Sequence, residues 1–258
     1  YRAHLGLGKL LLANADFDGA KSEFVKAIDS YKWAGEAYLL IAQIEHIKGN
    51  LIPAEERSYE ARYYGEKCRG NLKLGEVLIS LGEYGRAKAA LEEALVNNGR
   101  SLRTYALLSL CERKTGNNKQ ALARLNRTPP GALKDMMWYT EAFLAGALDE
   151  AQLKKELFGD EWRYLELGLD YLELGALDDA DKLADAGISL HRQGWELDKL
   201  FNPDRMWNFS RKRENPLFYL LKGAVAQRQG RTADASKMYM EGDYFEYQVN
   251  FNQMEMVP

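Results

Sequence analysis

Residues 161–187 read EWRYLELGLDYLELGALDDADKLADAG, and this stretch decides the fold of the chain. In it, Gly168 is followed twelve residues later by a second small residue, Ala180. Leu167 and Tyr171 flank the glycine at a spacing that is typical of one face of an α-helix. Small residues at a helix crossing let two antiparallel helices approach closely. The stretch therefore predicts a tightly packed helical hairpin.

The same pair of small residues, twelve positions apart, occurs six times in the chain. The pairs are Gly8 and Ala20, Ala42 and Ala54, Gly75 and Ala87, Ser109 and Ala121, Gly168 and Ala180, and Gly223 and Ala235. Seven positions after each pair comes a third residue of small or moderate size, in the order Ala27, Ala61, Ala94, Thr128, Gly187 and Gly242. Recurrence in one register indicates a series of repeated helical hairpins.

A glycine lies between the two small residues of five of these pairs, and Ala15 has this position in the first pair. The five glycines are Gly49, Gly82, Gly116, Gly175 and Gly230. Because a left-handed residue commonly ends a helix, each is predicted to close the first helix of its hairpin. Each hairpin then keeps an apolar face that only a neighbouring hairpin can bury. Such stacking stabilises a repeat array by about 25 cal/mol per Å² of apolar surface.

The spacing between repeats changes halfway along the chain. The first small position steps from 8 to 42, 75 and 109, which gives intervals of 34, 33 and 34 residues. The next two steps, to 168 and 223, are 59 and 55 residues long. Extra sequence is therefore predicted in two places.

With Tyr164, Leu167, Gly168, Tyr171 and Ala180, the chain resembles the tetratricopeptide repeat family over nearly its whole length. The resemblance implies an all-α fold, a right-handed superhelix of about seven helical hairpins, of which one is degenerate, with an aromatic and basic insertion. The closing proline of the family motif is absent. The leading tryptophan is replaced in successive repeats by His4, Tyr38, Asn71, Tyr105, Tyr164 and Tyr219.

The chain is predicted to contain five consecutive regions. Residues 1–128 form four hairpins, 129–160 a degenerate helical pair that follows Pro129 and Pro130, 161–190 a further hairpin, 191–215 the insertion, and 216–258 a last hairpin with an aromatic C-terminal tail.

A finer resemblance concerns the order of the degenerate pair, the following hairpin and the aromatic ending. This order is similar to the C-terminal repeat region of large bacterial proteins that carry an upstream β-sandwich domain of galactose-mutarotase type. The resemblance implies a carbohydrate-related parent protein. It gives the alternative function of the chain: an accessory repeat region of a carbohydrate-active bacterial protein whose catalytic or sugar-binding domain lies upstream. The chain opens with Tyr1 and is expected to be a piece of that longer protein.

Charge and composition favour neither nucleic acid nor membrane as a partner. The chain has 35 basic and 38 acidic residues and a formal net charge of -3, which produces no strong field of either sign. No apolar run approaches the roughly 18 to 20 residues that span a bilayer. A cytoplasmic location is expected.

The sequence lacks the usual motifs of catalytic and metal sites. The segment from Gly6 to Lys9 resembles part of a phosphate-binding loop, but Leu10 stands where serine or threonine is required. The three histidines and two cysteines have no ligand spacing. The chain is therefore predicted to be no enzyme, with no cofactor and no metal.

The predicted function is a scaffold that binds a protein or peptide, or its own upstream domain, with carbohydrate possible through the parent protein. In the family, the first helix of each hairpin lines the concave face. This geometry implies eight groove residues: Arg2, Lys9, Gln43, His46, Arg69, Glu76, Arg103 and Arg113. The insertion adds Trp195, Arg205, Trp207, Phe209 and Arg211, because tryptophan and arginine are frequent interface anchors.

The first helix of the hairpin at 161–190 is apolar on nearly every side, since Leu165, Leu169 and Leu172 occupy its would-be concave positions. A helix of this kind is expected to be buried. The insertion, or an adjoining domain, is predicted to cover it, and a purely structural role for the insertion is an equal alternative.

Overall fold

The computed structural model describes residues 1–98, 100–132, 134–201 and 215–242, and within 195–201 it describes the backbone only. All regular secondary structure in these ranges is α-helical, so the predicted all-α fold class is confirmed. The described residues divide into two compact units. The first contains residues 1–148 and 173–175, and the second contains 149–172 and the residues from 176 onward.

The first unit contains nine helices among its described residues. They are α1 (Arg2–Ala13), α2 (Phe17–Ser30), α3 (Gly35–Ile47), α4 (Leu51–Tyr63), α5 (Lys67–Ser80), α6 (Tyr84–Asn97), α7 (Leu102–Lys114), α8 (Asn118–Leu125) and α9 (Met136–Leu144).

These helices pack as a stack of hairpins. The pairs α1 and α2, α3 and α4, α5 and α6, and α7 and α8 are in contact, and each second helix also packs against the first helix of the next hairpin. First helices touch one another from α3 to α5, α7 and α9. This contact order is that of a helical-repeat solenoid, in which each repeat is stabilised by its neighbours.

The turns inside the hairpins end the first helices as the sequence predicts. Gly49 has a φ of 78°, its N–H is bonded to the carbonyl of His46, and the N–H of Asn50 is bonded to the carbonyl of Glu45. This pair of hydrogen bonds is a Schellman cap. Ala15 closes α1 with a φ of 59°, a backbone conformation in which a Cβ atom is unfavourable.

The close approach of paired helices depends on the small residues, and large side chains pack over two of the glycines of the first unit. The ring of Phe24 lies over Gly8, and the paired Ala20 is fully buried. A Cβ atom built on Gly8 would lie 2.5 Å from Phe24 Cε1, and one on Gly75 would lie 2.5 Å from Leu91 Cδ2. Each glycine thus makes room for a large side chain, four residues after the paired alanine, that is fully buried.

The second unit contains α10 (Glu150–Glu156), α11 (Glu161–Glu173), α12 (Leu177–Phe201), α13 (Pro216–Arg228) and α14 (232–242) among its described residues. Here Phe218 of α13 packs over Gly187 of α12, and Tyr239 of α14 packs over Gly223 of α13. The same use of glycine therefore recurs in this unit.

Two expectations for this unit, on the insertion and on the burial of α11, agree with the structure only in part. The backbone of α12 continues through Phe201, so residues 191–201 of the predicted insertion are helical, while 202–214 and the tail at 243–258 lie outside the described residues. The expectation that α11 is buried all round was wrong at Leu169, which is half exposed, although Leu165 and Leu172 are buried.

Replacing Gly75 by valine is expected to lower the free energy of unfolding by about 1–3 kcal/mol, because the added carbons meet the buried Leu91 and overpack the hairpin. The matched control is Gly6→Ala. A Cβ atom on Gly6 has no neighbour within 4 Å, so this change should raise stability by about 0.5–1 kcal/mol. Urea unfolding followed by circular dichroism measures both. Equal stability of the two variants would contradict the packing role of Gly75.

Candidate functional site

The predicted groove residues lie on the first helices of the first unit, but they are not one open surface. Arg2, Lys9, Gln43 and Arg69 are exposed, and Arg103 and Arg113 are partly buried. The expectation that His46 and Glu76 face an open groove was wrong. His46 is only 3% exposed, and Glu76 is only 5% exposed. His46 Nε2 lies 2.8 Å from Ser80 Oγ of α5, and His46 Nδ1 lies 3.1 Å from Oε1 of Glu173, the last residue of α11, which belongs to the first unit.

Carboxylates of neighbouring helices pair with two of the exposed cations of this set, Lys9 and Arg69. Lys9 Nζ of α1 lies 3.1 Å from Glu36 Oε1 of α3, and Arg69 Nη1 of α5 lies 3.6 Å from the same oxygen. One carboxylate thus connects the first helices of three consecutive hairpins. Ion pairs this exposed contribute little to stability individually. Their effect here is to neutralise the positive charge of the face.

Deeper ion pairs continue the connection along the stack. Glu76 Oε1 of α5 accepts a hydrogen bond of 2.7 Å from Arg103 Nε of α7, and Lys73 Nζ lies 2.5 Å from Glu76 Oε2. Farther along, Arg113 Nη2 of α7 lies 2.8 Å from Glu141 Oε1 of α9, and both side chains are almost fully buried. Several predicted groove residues therefore act as links between hairpins.

The charge state of Glu76 is strongly coupled to these partners. Burial on its own would raise the pKa of this carboxyl group, but the charges and hydrogen bonds of Lys73 and Arg103 outweigh burial and lower the pKa to about 2. Because the folded-state pKa is below the usual value of 4.5, Glu76 stabilises the fold above pH 4.5. This stabilisation is lost as the pH falls from 4.5 to about 2.

Replacing Glu76 by glutamine should lower the free energy of unfolding at pH 7 by on the order of 3 kcal/mol, because two cations lose their buried partner. The same variant should show a weaker loss of stability than the wild type between pH 4.5 and 2. Urea unfolding at a series of pH values measures both effects. The control is Glu93→Gln, whose carboxylate is half exposed and should matter by less than about 0.5 kcal/mol. If the free energy of unfolding of the Glu76→Gln variant changed with pH as that of the wild type does, the pH dependence could not be assigned to Glu76.

A second feature of the first unit is a group of five aromatic side chains at the turns between hairpins. We define the aromatic cluster as Trp33 in the turn between α2 and α3, Tyr38 on α3, Tyr59 and Tyr63 on α4, and Tyr64 in the turn that follows α4. These turns lead from the first hairpin to the second and from the second to the third.

Four rings of the cluster are in mutual contact. The ring of Tyr64 is stacked on that of Tyr38, with centroids 5.0 Å apart. Trp33 and Tyr63 both stand edge to face with Tyr64, at 5.4 and 4.9 Å and interplanar angles of 88° and 89°. Trp33 and Tyr63 are therefore nearly parallel, at 18°, with centroids 6.3 Å apart. Each such contact adds about 0.5–1.5 kcal/mol beyond area burial.

The inner rings are more buried than the outer rings. Tyr38, near the start of α3, is buried, and the partly buried Tyr64 is stacked on it. By contrast, Trp33 is 57% exposed and Tyr63 is 72% exposed. Beside them an open cavity of about 380 Å³ is lined by Tyr59, Glu60, Arg62, Tyr63 and Tyr64. The cluster is thus a preorganised aromatic surface in contact with solvent.

Charged residues around the cluster are paired with one another. Arg57 Nη1 lies 2.6 Å from Glu60 Oε2, and Arg62 Nη1 lies 3.0 Å from Glu93 Oε2. The guanidinium carbon of Arg62 also lies 5.6 Å from the ring centroid of Tyr59. A cation and an anion therefore line the cavity together, and the surface has little net charge.

Sequence reasoning missed the aromatic cluster because it searched the first helices alone. The available signal was the repetition of aromatic residues at two successive turns, Tyr31 and Trp33 after α2 and then Tyr63 at the end of α4 and Tyr64 directly after it. Of the predicted insertion residues, Arg205, Trp207, Phe209 and Arg211 lie outside the described residues, as does the side chain of Trp195.

The residues that the structure describes contain no group of three metal-ligating side chains, and no helix among them is long and apolar enough to cross a bilayer. Cys111 is buried, and this burial raises the pKa of its thiol to about 12. A thiol with such a pKa is a poor nucleophile at neutral pH.

A family profile described as tetratricopeptide repeat matches residues 72–131, which span most of α5 through α8. A solved tetratricopeptide repeat protein from Parabacteroides merdae is 13% identical and has a TM-score of 0.53, with 98% of this chain and 96% of that chain covered. This likeness supports the fold. No curated protein matches the chain.

Two further solved structures are similar at lower TM-scores. PilF of Pseudomonas aeruginosa is 15% identical, with 96% of each chain covered and a TM-score of 0.46. YrrB, described as a TPR protein with an unusual peptide-binding site, is 18% identical, with 79% of this chain and 87% of that chain covered and a TM-score of 0.44.

Proposed function

We propose that the chain is a non-catalytic protein-interaction module of tetratricopeptide type, and that its aromatic cluster is the docking surface for a protein partner. The tetratricopeptide match over residues 72–131 and the hairpin stack support the general role of a scaffold. The position of the docking surface rests on the exposure of two fixed aromatic rings, Trp33 and Tyr63.

Exposed aromatic rings are costly to leave in water and effective in binding. Tryptophan and tyrosine are enriched among the interface residues that contribute most binding energy, and a single one can contribute 2 kcal/mol or more. Trp33 and Tyr63 lose little conformational entropy on binding, because both rings already rest on Tyr64. The cluster therefore combines large contact area with a low ordering cost.

The predicted groove residues are a weaker choice for the docking surface. A partner carboxylate that approached Arg69 or Lys9 would compete with Glu36, which already pairs with both. Arg103 and Arg113 are bound to Glu76 and Glu141 between hairpins. Using these cations for a partner would break links that hold the stack together, whereas the aromatic cluster can be used without such a loss.

The proposal is tested with a photo-reactive benzoylphenylalanine at position 63 of the full chain. Proteins cross-linked in a lysate of the source organism are identified by mass spectrometry, and the recovered partner is then purified and titrated calorimetrically. The double variant Trp33→Ala/Tyr63→Ala should bind that partner at least tenfold more weakly than the wild type, since it lacks both exposed rings.

The matched control for this titration is Trp162→Ala. Trp162 is 54% exposed, close to the exposure of Trp33, but lies on α11 in the second unit. The control should bind the partner within twofold of the wild type, with unchanged helix content by circular dichroism. Equal affinity of the double variant and the wild type would contradict docking at the aromatic cluster.

The carbohydrate-related parent protein, the upstream domain as a partner, and the cytoplasmic location stay predictions. Calorimetric titration of the chain with mono- and oligosaccharides addresses the first of these, because heat of binding is expected only if the chain itself contacts sugar.

A further inference from the structure

We infer that the aromatic cluster takes a proline-rich segment of its partner, bound in the polyproline II conformation. The inference rests on the proposed function and names the chemistry of the partner. Three properties of the cluster carry it: the arrangement of the rings, the hydrogen-bond donors at their edges, and the balance of nearby charges.

The ring arrangement suits a rigid, extended chain with flat apolar side chains. Trp33 and Tyr63 are stacked on each other, with centroids 6.3 Å apart, and the open cavity beside Tyr63 is also lined by Tyr59 and Tyr64. Polyproline II segments dock on surfaces and grooves lined by aromatic rings, because their pyrrolidine rings project regularly from a helix of three residues per turn. Neither partner needs to be ordered further, since the segment is preformed and Tyr64 fixes both outer rings.

The polar atoms of the cluster complement those of a proline-rich backbone. Within the described part of the chain, neither Trp33 Nε1 nor the hydroxyl group of Tyr63 makes a hydrogen bond, and both side chains reach solvent. Tryptophan is a donor only, and the tyrosine hydroxyl group can donate. A proline residue has a carbonyl acceptor and no N–H donor. Carbonyl groups of a polyproline II segment are unpaired and can accept from both side chains.

The charges around the cluster favour an uncharged segment over a strongly basic or acidic one. Arg57 pairs with Glu60 and Arg62 with Glu93, so a charged partner would have to compete with existing pairs. Lys32 Nζ also lies 5.9 Å from the ring centroid of Tyr64, near the position that a cationic ligand would take. Proline side chains carry no charge. A proline-rich segment therefore competes with neither ion pair and is not repelled by Lys32.

The test uses fluorescence anisotropy of a labelled decaproline peptide with the full chain. The peptide should bind, and a Gly-Ser peptide of equal length should bind at least tenfold more weakly. Trp33→Ala and Tyr63→Ala should each weaken decaproline binding at least tenfold. Trp33→Phe and Tyr63→Phe keep a ring and remove the donor, so each should weaken binding about threefold. Trp162→Ala is the control and should bind like the wild type.

The outcomes separate this inference from the proposed function. Equal binding of the Gly-Ser peptide, tighter binding of a deca-arginine peptide, or wild-type affinity of Trp33→Ala and Tyr63→Ala would overturn the polyproline assignment. In each of these cases the cross-linked partner can still depend on Trp33 and Tyr63, which leaves docking at the cluster standing. If the partner binds the double variant as tightly as it binds the wild type, the docking site itself is wrong and the polyproline inference fails with it.

Discussion

The close approach of paired helices at a small residue is the constraint on which the rest of the structure depends. The fully buried Phe24 lies on Gly8 and the fully buried Leu91 on Gly75, and the partly buried Tyr239 lies on Gly223, each time between the two helices of one hairpin. The other two hairpins of the first unit keep a small residue, Ala42 or Ser109, at the same position. A larger side chain there would force the helices apart, and neighbouring hairpins would lose the fit between their faces. The regular stack of the first unit follows from this repeated use of small residues.

Regular stacking also explains the positions of the ion pairs between first helices and of the aromatic cluster. It brings the first helices close enough for Glu36 to pair with cations on both sides, and for Glu76 to reach Arg103 of the following hairpin. It also brings successive turns together, so that Trp33 of one turn meets the ring of Tyr64 in the next. Residues 33 and 64 are far apart in sequence, and their contact exists only because the hairpins repeat.

The sequence predicts the helices, their turns and their order from short-range patterns. Gly49 ends α3 because a left-handed cap is encoded locally, and the register of small residues marks every hairpin that the structure describes from α1 to α8. The burial of His46 and Glu76 could not be predicted in this way. It depends on contacts between residues far apart in the sequence, such as those of His46 with Ser80 and Glu173 and that of Glu76 with Arg103.

The choice between the predicted groove and the aromatic cluster as the docking surface depends on which side chains already have partners within the protein. Four of the cations considered for the groove already pair with a carboxylate of another helix: Lys9, Arg69, Arg103 and Arg113. By contrast, Trp33 and Tyr63 expose more than half of their area and, among the described residues, have no hydrogen-bond partner for their donors. A protein gains most affinity from groups that lose little on binding. Preorganised rings outside the inter-repeat links meet that condition, because a partner can bind them without loosening the stack that positions them.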